Sequence, residues 1–190
     1  MTCSRYTESD SGRIKVVTSA TRPTGASRYI GQHIYETDTD RRRYFDGTGW
    51  IILSEPFNAW NTSASWSGIT GGSPTYIGGY HRSDGWCDFR ATLIFGGAPL
   101  SIAGFAIVLP FTPGYIAGDQ LSVQFYDNAG TFYRGYNAPS ISAAVGISAL
   151  LASGTYVTQA GAVSTTLPFT FGAGDSVEVS GRFRMNSRYS

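Results

Sequence analysis

A chain of 190 residues with 14 Lys and Arg against 13 Asp and Glu has room for one ordinary domain and a small appendage, and its formal charge of +1 provides no long-range field to draw in nucleic acid or acidic substrates. The start MTCSRYTES leads into no apolar run, and no apolar stretch approaches the roughly 18 residues a membrane helix needs, so neither a secretory signal of the usual form nor membrane insertion is expected. Synthesis in the cytosol is expected, and with it free thiols at Cys3 and Cys87, the two cysteines of the chain.

Twenty-four glycines, 14% aromatic residues and scattered Thr, Ser and Val describe an all-β chain with many turns. Residues 1–56 hold 15 of the 27 Asp, Glu, Lys and Arg, and the remaining 134 residues hold 12. The chain is therefore divided at Pro56 into an N-terminal extended arm with a small β-meander, 1–56, and an apolar, Gly-rich β-sandwich, 57–190.

In the N-terminal part the run Arg41-Arg42-Arg43 suggests a phosphate grip, but its neighbours argue for a hairpin. A reversal over Asp38 to Arg41 sets Asp38 opposite Arg41, Glu36 opposite Arg43, and Tyr35 opposite Tyr44, a register that pairs opposite charges at the exposed-pair scale of about 0.2–1 kcal/mol each. Strand alternation places Arg42 on the face opposite Arg41 and Arg43, so the run forms no basic stripe and nucleic-acid contact is not expected. Asp46-Gly47-Thr48-Gly49 then turns the chain into a third strand, Trp50 to Leu53.

Residues 16–53 resemble a module of tailed-bacteriophage virion proteins, in which Thr-Arg-Pro, Gly-Gln, Tyr-Glu-Thr-Asp-Thr and Asp-Gly-Thr-x-Trp follow in that order. The resemblance covers about a fifth of the chain. It implies a small meander attached to other virion proteins of the tail or capsid and standing N-terminal to an exposed domain, in minor tail, short-fibre and head-decoration proteins that are usually trimeric. On that reading Arg22, Pro23, Gly31, Gln32, Tyr35, Glu36, Asp38, Asp46, Gly47 and Trp50 form the attachment module. No catalytic residue and no cofactor comes with the resemblance.

Further along, residues 74–95 read as a second hairpin that reverses at Ser83-Asp84-Gly85, and they resemble a Gly-x-Tyr-x-Arg-x-Gly-Asp strand pair of the same phage proteins more loosely. LPFTPGYIAGDQLSV at 109–123 is echoed by LPFTFGAGDSVEV at 167–179, which reads as two equivalent corners or edges of a jelly-roll-like sandwich. Between them ISAAVGISALLA, 141–152, admits alternating and helical readings, with strand the one adopted.

Candidate chemistry is sparse. His81, Asp84, Cys87 and Asp88 contain the parts of a thiol nucleophile, but a hairpin provides no helix N-terminus to lower the thiol pKa, and the spacing fits no usual metal site; neither catalysis nor a metal is expected. Aromatic residues are the stronger hint. Trp66, Tyr76, Tyr80 and Trp86 are taken as a candidate surface for a host glycan or receptor, and Trp60, Tyr115, Tyr126, Tyr133 and Tyr136 belong to the same set, against the plainer reading that such rings fill the core and subunit interfaces.

Overall fold

The computed structural model describes residues 14–60, 62–115, 121–137, 144–153 and 156–186. Cys3, most of the arm and the Ala117-Gly118-Asp119 turn of the first echo lie outside them. The described chain is all-β, with one short 3-10 turn, Gly25–Ser27, and no α-helix among the described residues.

Four strands build the N-terminal sheet in sequence order: β1, Lys15–Val17; β2, His33–Glu36; β3, Arg41–Phe45; and β4, Trp50–Ser54. The end of the arm joins the sheet, since β1 pairs with β2 in parallel while β2, β3 and β4 follow antiparallel. Val17, Ile34, Phe45 and Trp50 form a small buried cluster of their own, with the Phe45 and Trp50 rings 5.4 Å apart.

The first hairpin corrects the expected register by two residues. Glu36 pairs with Arg41, Tyr35 with Arg42, Ile34 with Arg43 and His33 with Tyr44. The loop is Thr37 to Asp40, because Asp38 is taken out of the strand: its carboxylate accepts the Ser19 backbone N–H at 2.8 Å and bonds the Ser19 hydroxyl, and Asp40 adopts a positive φ of 50°. Tyr35 and Tyr44 therefore do not meet; His33 lies against Tyr44 instead, with ring centroids 5.8 Å apart.

The remaining strands are β5, Asn58–Ala59; β6, Trp66–Gly71; β7, Thr75–Ser83; β8, Trp86–Ile94; β9, Pro99–Val108; β10, Pro113–Tyr115; β11, Ser122–Asp127; β12, Thr131–Asn137; β13, Ala144–Ser153; β14, Tyr156–Ala162; and β15, Ser176–Met185. They form one curled antiparallel sheet in the order β5-β7-β8-β15-β11-β12-β13-β9-β6, with β10 on β15 and β14 on β13. The two halves of this sheet fold against each other as a sandwich around one core, in which Trp66, Phe105 and Ile107 from β6 and β9 join Phe89, Leu93, Val123, Phe125, Val177, Val179 and Phe183 from the other half. Alternation along β8 produces this directly: Cys87, Phe89, Ala91 and Leu93 point inward and are buried, and Trp86, Asp88, Arg90 and Thr92 point outward.

The β7–β8 hairpin turns where the sequence placed it, at Asp84-Gly85, with φ of 47° and 79°, the two positive values a two-residue type I′ turn needs. The segment 141–152 contributes β13, a strand. The two echoed segments are not at sheet edges. They lead into β11 and β15, which are central, adjacent and antiparallel, with Val123 facing Val179, so the two corners stand at opposite ends of one strand pair.

Candidate attachment and binding surfaces

All ten residues of the attachment module serve the meander's own construction. Glu36 is fully buried and accepts hydrogen bonds from Arg22 Nε at 2.5 Å, Thr39 Oγ1 at 2.9 Å and Arg43 Nε at 3.0 Å, with Arg43 itself 2% exposed. Burial pushes the Glu36 carboxyl up, but the bonds from Thr39, Arg22 and Arg43 outweigh it and hold the group below the usual carboxylate range. Glu36 and Arg43 thus meet as expected, though diagonally and inside the fold; the exposed-pair picture is corrected to a buried Arg-Glu-Arg cluster.

Trp50 Nε1 donates to the Pro23 carbonyl at 3.3 Å, which brings the Thr-Arg-Pro segment over the sheet. Gly31, at positive φ, donates its N–H to the Phe45 carbonyl at 2.8 Å, and the Phe45 N–H returns to Gln32 O at 2.9 Å. The Gln32 side chain is buried with its Oε1 unpaired. Asp46 Oδ1 accepts the Thr48 and Gly49 N–H groups around Gly47, itself at φ 103°, and the Tyr35 hydroxyl donates to Asp40 at 2.5 Å. Sequence order here encodes a fold. Of the ten, Gly31, Asp38 and Gly47 are exposed; the large exposed side chains lie beside them, at Val16 and Ile30, 64% and 74% exposed, and at Arg42, which makes no ion pair among the described residues.

Two arginines of the run look outward from the hairpin in different senses. Arg42 is exposed, and Arg41 Nε reaches Glu55 at 3.0 Å. Glu55 is buried and also takes Arg82 of β7 in a bidentate grip, Nε at 2.6 Å and the second nitrogen at 2.9 Å. Asp84 N–H donates to Ile52 O at 3.0 Å and Ser83 Oγ to Leu53 O at 3.0 Å, so β4 and the tip of the β7–β8 hairpin are stitched together. Nothing in the sequence pattern near Glu55 marked it, since its partner Arg82 is 27 residues away.

In the sandwich, the candidate thiol and His81 lie on opposite faces of the β7–β8 hairpin, not across from each other. Cys87 faces Arg82 across the hairpin, whereas His81 faces Asp88, with Nδ1 4.0 Å from Oδ2. Cys87 is fully buried, and that burial pushes its thiol up to about 12. Such a thiol is poorly suited to nucleophilic attack at neutral pH. No group of three or more His, Cys, Asp or Glu is placed to hold a metal ion among the described residues.

The proposed aromatic surface is dispersed, which corrects that expectation. Trp66 is 7% exposed and stacks on Phe105 at 5.4 Å, its indole nitrogen unpaired. Tyr76 and Tyr80 are half-buried against the core, and Tyr80 meets Phe111 edge-on at 5.0 Å. Trp86 alone of the four is on the outer face, where the Arg182 guanidinium lies 5.1 Å above its ring. The Tyr115 side chain lies outside the described residues.

No family model matches the chain, and it matches neither a curated protein nor a solved structure.

Proposed function

We propose that this chain is a non-enzymatic structural component of a tailed-phage virion: a homotrimeric minor tail, short-fibre or capsid-decoration (head-fibre) protein on the particle exterior, made in the host cytoplasm and contributing to host adsorption. In this reading residues 1–56 attach and residues 57–190 form the exposed domain. The observation that carries it is that the ordered phage-like motif, residue for residue, builds one compact meander clamped to the sandwich through Glu55.

Support for self-association comes from the partition of charge. Strands β6, β9, β13 and β14 contain no Asp, Glu, Lys or Arg, whereas β7, β8, β11, β12 and β15 carry eight. On the outer side of the charge-free half, Ser67 pairs with Ala106 and Ala106 with Gly146, Val108 faces Ala144, and Leu100 stands 81% exposed. An uncharged sheet face of small residues can be covered by neighbouring copies around a three-fold axis without stranding a charge.

A second reading, a carbohydrate-binding module with no virion role, draws on the charged outer face of the other half. Gold-labelled antibody on phage particles, together with light scattering of the free protein, separates the two. The virion reading expects label on the particle exterior and a mass about three times 20.4 kDa. Unlabelled particles would overturn it.

A further inference from the structure

The outer face of β7, β8 and β15 holds an aromatic ring in an unusual position. Phe57 packs over Gly79 of β7: a Cβ at residue 79 would fall 2.0 Å from Phe57 Cε1 and 2.5 Å from Cζ. The ring nevertheless remains 66% exposed, so the glycine seats it without hiding it. A large apolar side chain displayed on a sheet in this way gains little from burial.

Beside it runs a file of planar polar groups. Gly79 pairs with Arg90, whose side chain is 66% exposed, and one step along the strands His81 pairs with Asp88 and Asp88 with Arg182. Arg182 Nε stands 3.7 Å from Asp88 Oδ1, and His81 and Asp88 are both partly open to solvent. Trp86, capped by Arg182, closes the row on the side away from Phe57. From Arg90 to Trp86 is four residues along β8, about 13 Å at the rise of a strand.

We infer that this face is an oligosaccharide-binding platform, with Phe57 as the stacking ring, His81, Asp88 and Arg90 as hydrogen-bonding groups to sugar hydroxyls, and the Trp86–Arg182 pair as its far boundary. The charge balance selects this class of ligand. Asp88 sits between His81 and Arg182, and Arg90 reaches Glu178 at 2.5 Å, so these charges are answered within the face; Arg184, level with Trp86, adds one cation at the far boundary, a field small enough that the face suits a neutral polyol better than a phosphate chain or an acidic protein. The groups are already oriented in the sheet, and each keeps donor or acceptor capacity toward solvent, as bidentate contacts to vicinal hydroxyls require. An open sheet face fits an extended chain of sugar rings; a small molecule needs a concave pocket. A protein partner would prefer a desolvated, uncharged centre, which lies on the opposite half of the sandwich.

The inference rests on the exposed-domain reading only for access to this face, and its test uses free protein, so failure of one leaves the other standing. Full-length protein is applied to a glycan array carrying neutral and acidic oligosaccharides, and hits are titrated by calorimetry. Binding to neutral oligosaccharides is expected, with at least a tenfold loss in Phe57→Ala and in Asp88→Asn, both solvent-facing changes whose folding is checked by thermal melting. Gly79→Ala, which keeps Phe57 but drives its ring off the sheet, should weaken binding in the same direction. Phe132→Ala removes another exposed ring, 68% exposed on β12, and should leave binding unchanged. No binding on the array, binding confined to acidic glycans and abolished by moderate salt, or full binding by Phe57→Ala would each overturn the assignment.

Discussion

Replacing Glu36 with Ala tests the buried cluster most directly. The carboxylate is fully buried and receives two guanidinium groups, and its loss takes from Arg43, only 2% exposed, the carboxylate that its Nε meets at 3.0 Å. Breaking a buried pair in this way costs about 3–5 kcal/mol, against about 0.2–1 kcal/mol for the exposed pair that the sequence suggested. Urea unfolding combined with amide exchange at Gly31 and Phe45, whose N–H groups tie the meander together, reads the loss where it occurs. The double reversal Glu36→Arg with Arg43→Glu should not restore stability, because Arg22 and Thr39 converge on position 36 and would face a cation there. Acid supplies an independent check. A carboxyl held below its unfolded value contributes stability that is complete above about pH 4.5 and is lost as pH falls through the lower folded value, and Glu36→Gln should flatten that limb. A loss below about 1 kcal/mol for Glu36→Ala, or full rescue by the reversed pair, would refute the reasoning.

Three further outcomes follow from the packing. Cys87 should resist a thiol reagent at pH 8 in native protein and react on unfolding; because its folded pKa of about 12 lies above the unfolded value near 9, its share of stability is present below pH 9 and declines above it. Glu55→Ala should cost about 3–5 kcal/mol by removing the bidentate carboxylate partner of the buried Arg82 and should let the meander and sandwich melt in separate steps, visible by calorimetry. Gly135→Ala should destabilise by about 1–3 kcal/mol in urea, since the added methyl would fall 2.6 Å from the Ser148 carbonyl oxygen and 2.7 Å from Phe125 and Val123, all in the sheet or core.

Local signals were legible where turn chemistry and alternation agreed. Asp84-Gly85 could serve little else than a tight reversal, so the place of the β7–β8 turn was legible within the triplet Ser83-Asp84-Gly85, and the inward row of β8 was readable as every second residue; the register was not, since a three-residue reversal sets His81 across from Cys87 whereas the two-residue turn sets it across from Asp88. The first hairpin failed because charge matching favoured a register in which Asp38 opposed Arg41, whereas Asp38 is held by Ser19, a partner 19 residues away that no local pattern indicates. The aromatic surface failed for a related reason. Tyr76 and Tyr80 share the parity of the core-facing Leu93 and Phe89 opposite them, which only the pairing of two strands reveals. Phe57 was overlooked since its role depends on an empty position, the absent side chain of Gly79.

The Glu55 clamp has a mechanical consequence. Only a few residues connect β4 to β5, and the two bodies on either side are locked by a carboxylate gripped from both. Such a joint acts as a strut and not as a tether: a sideways load on the sandwich is carried into the four-stranded sheet as torque, with little slack taken up by swinging. Whatever holds β1 to β4 therefore sets the direction in which the outer face of β7, β8 and β15 is aimed, and yielding under load would begin when Arg82 slips from Glu55 and water enters the gap.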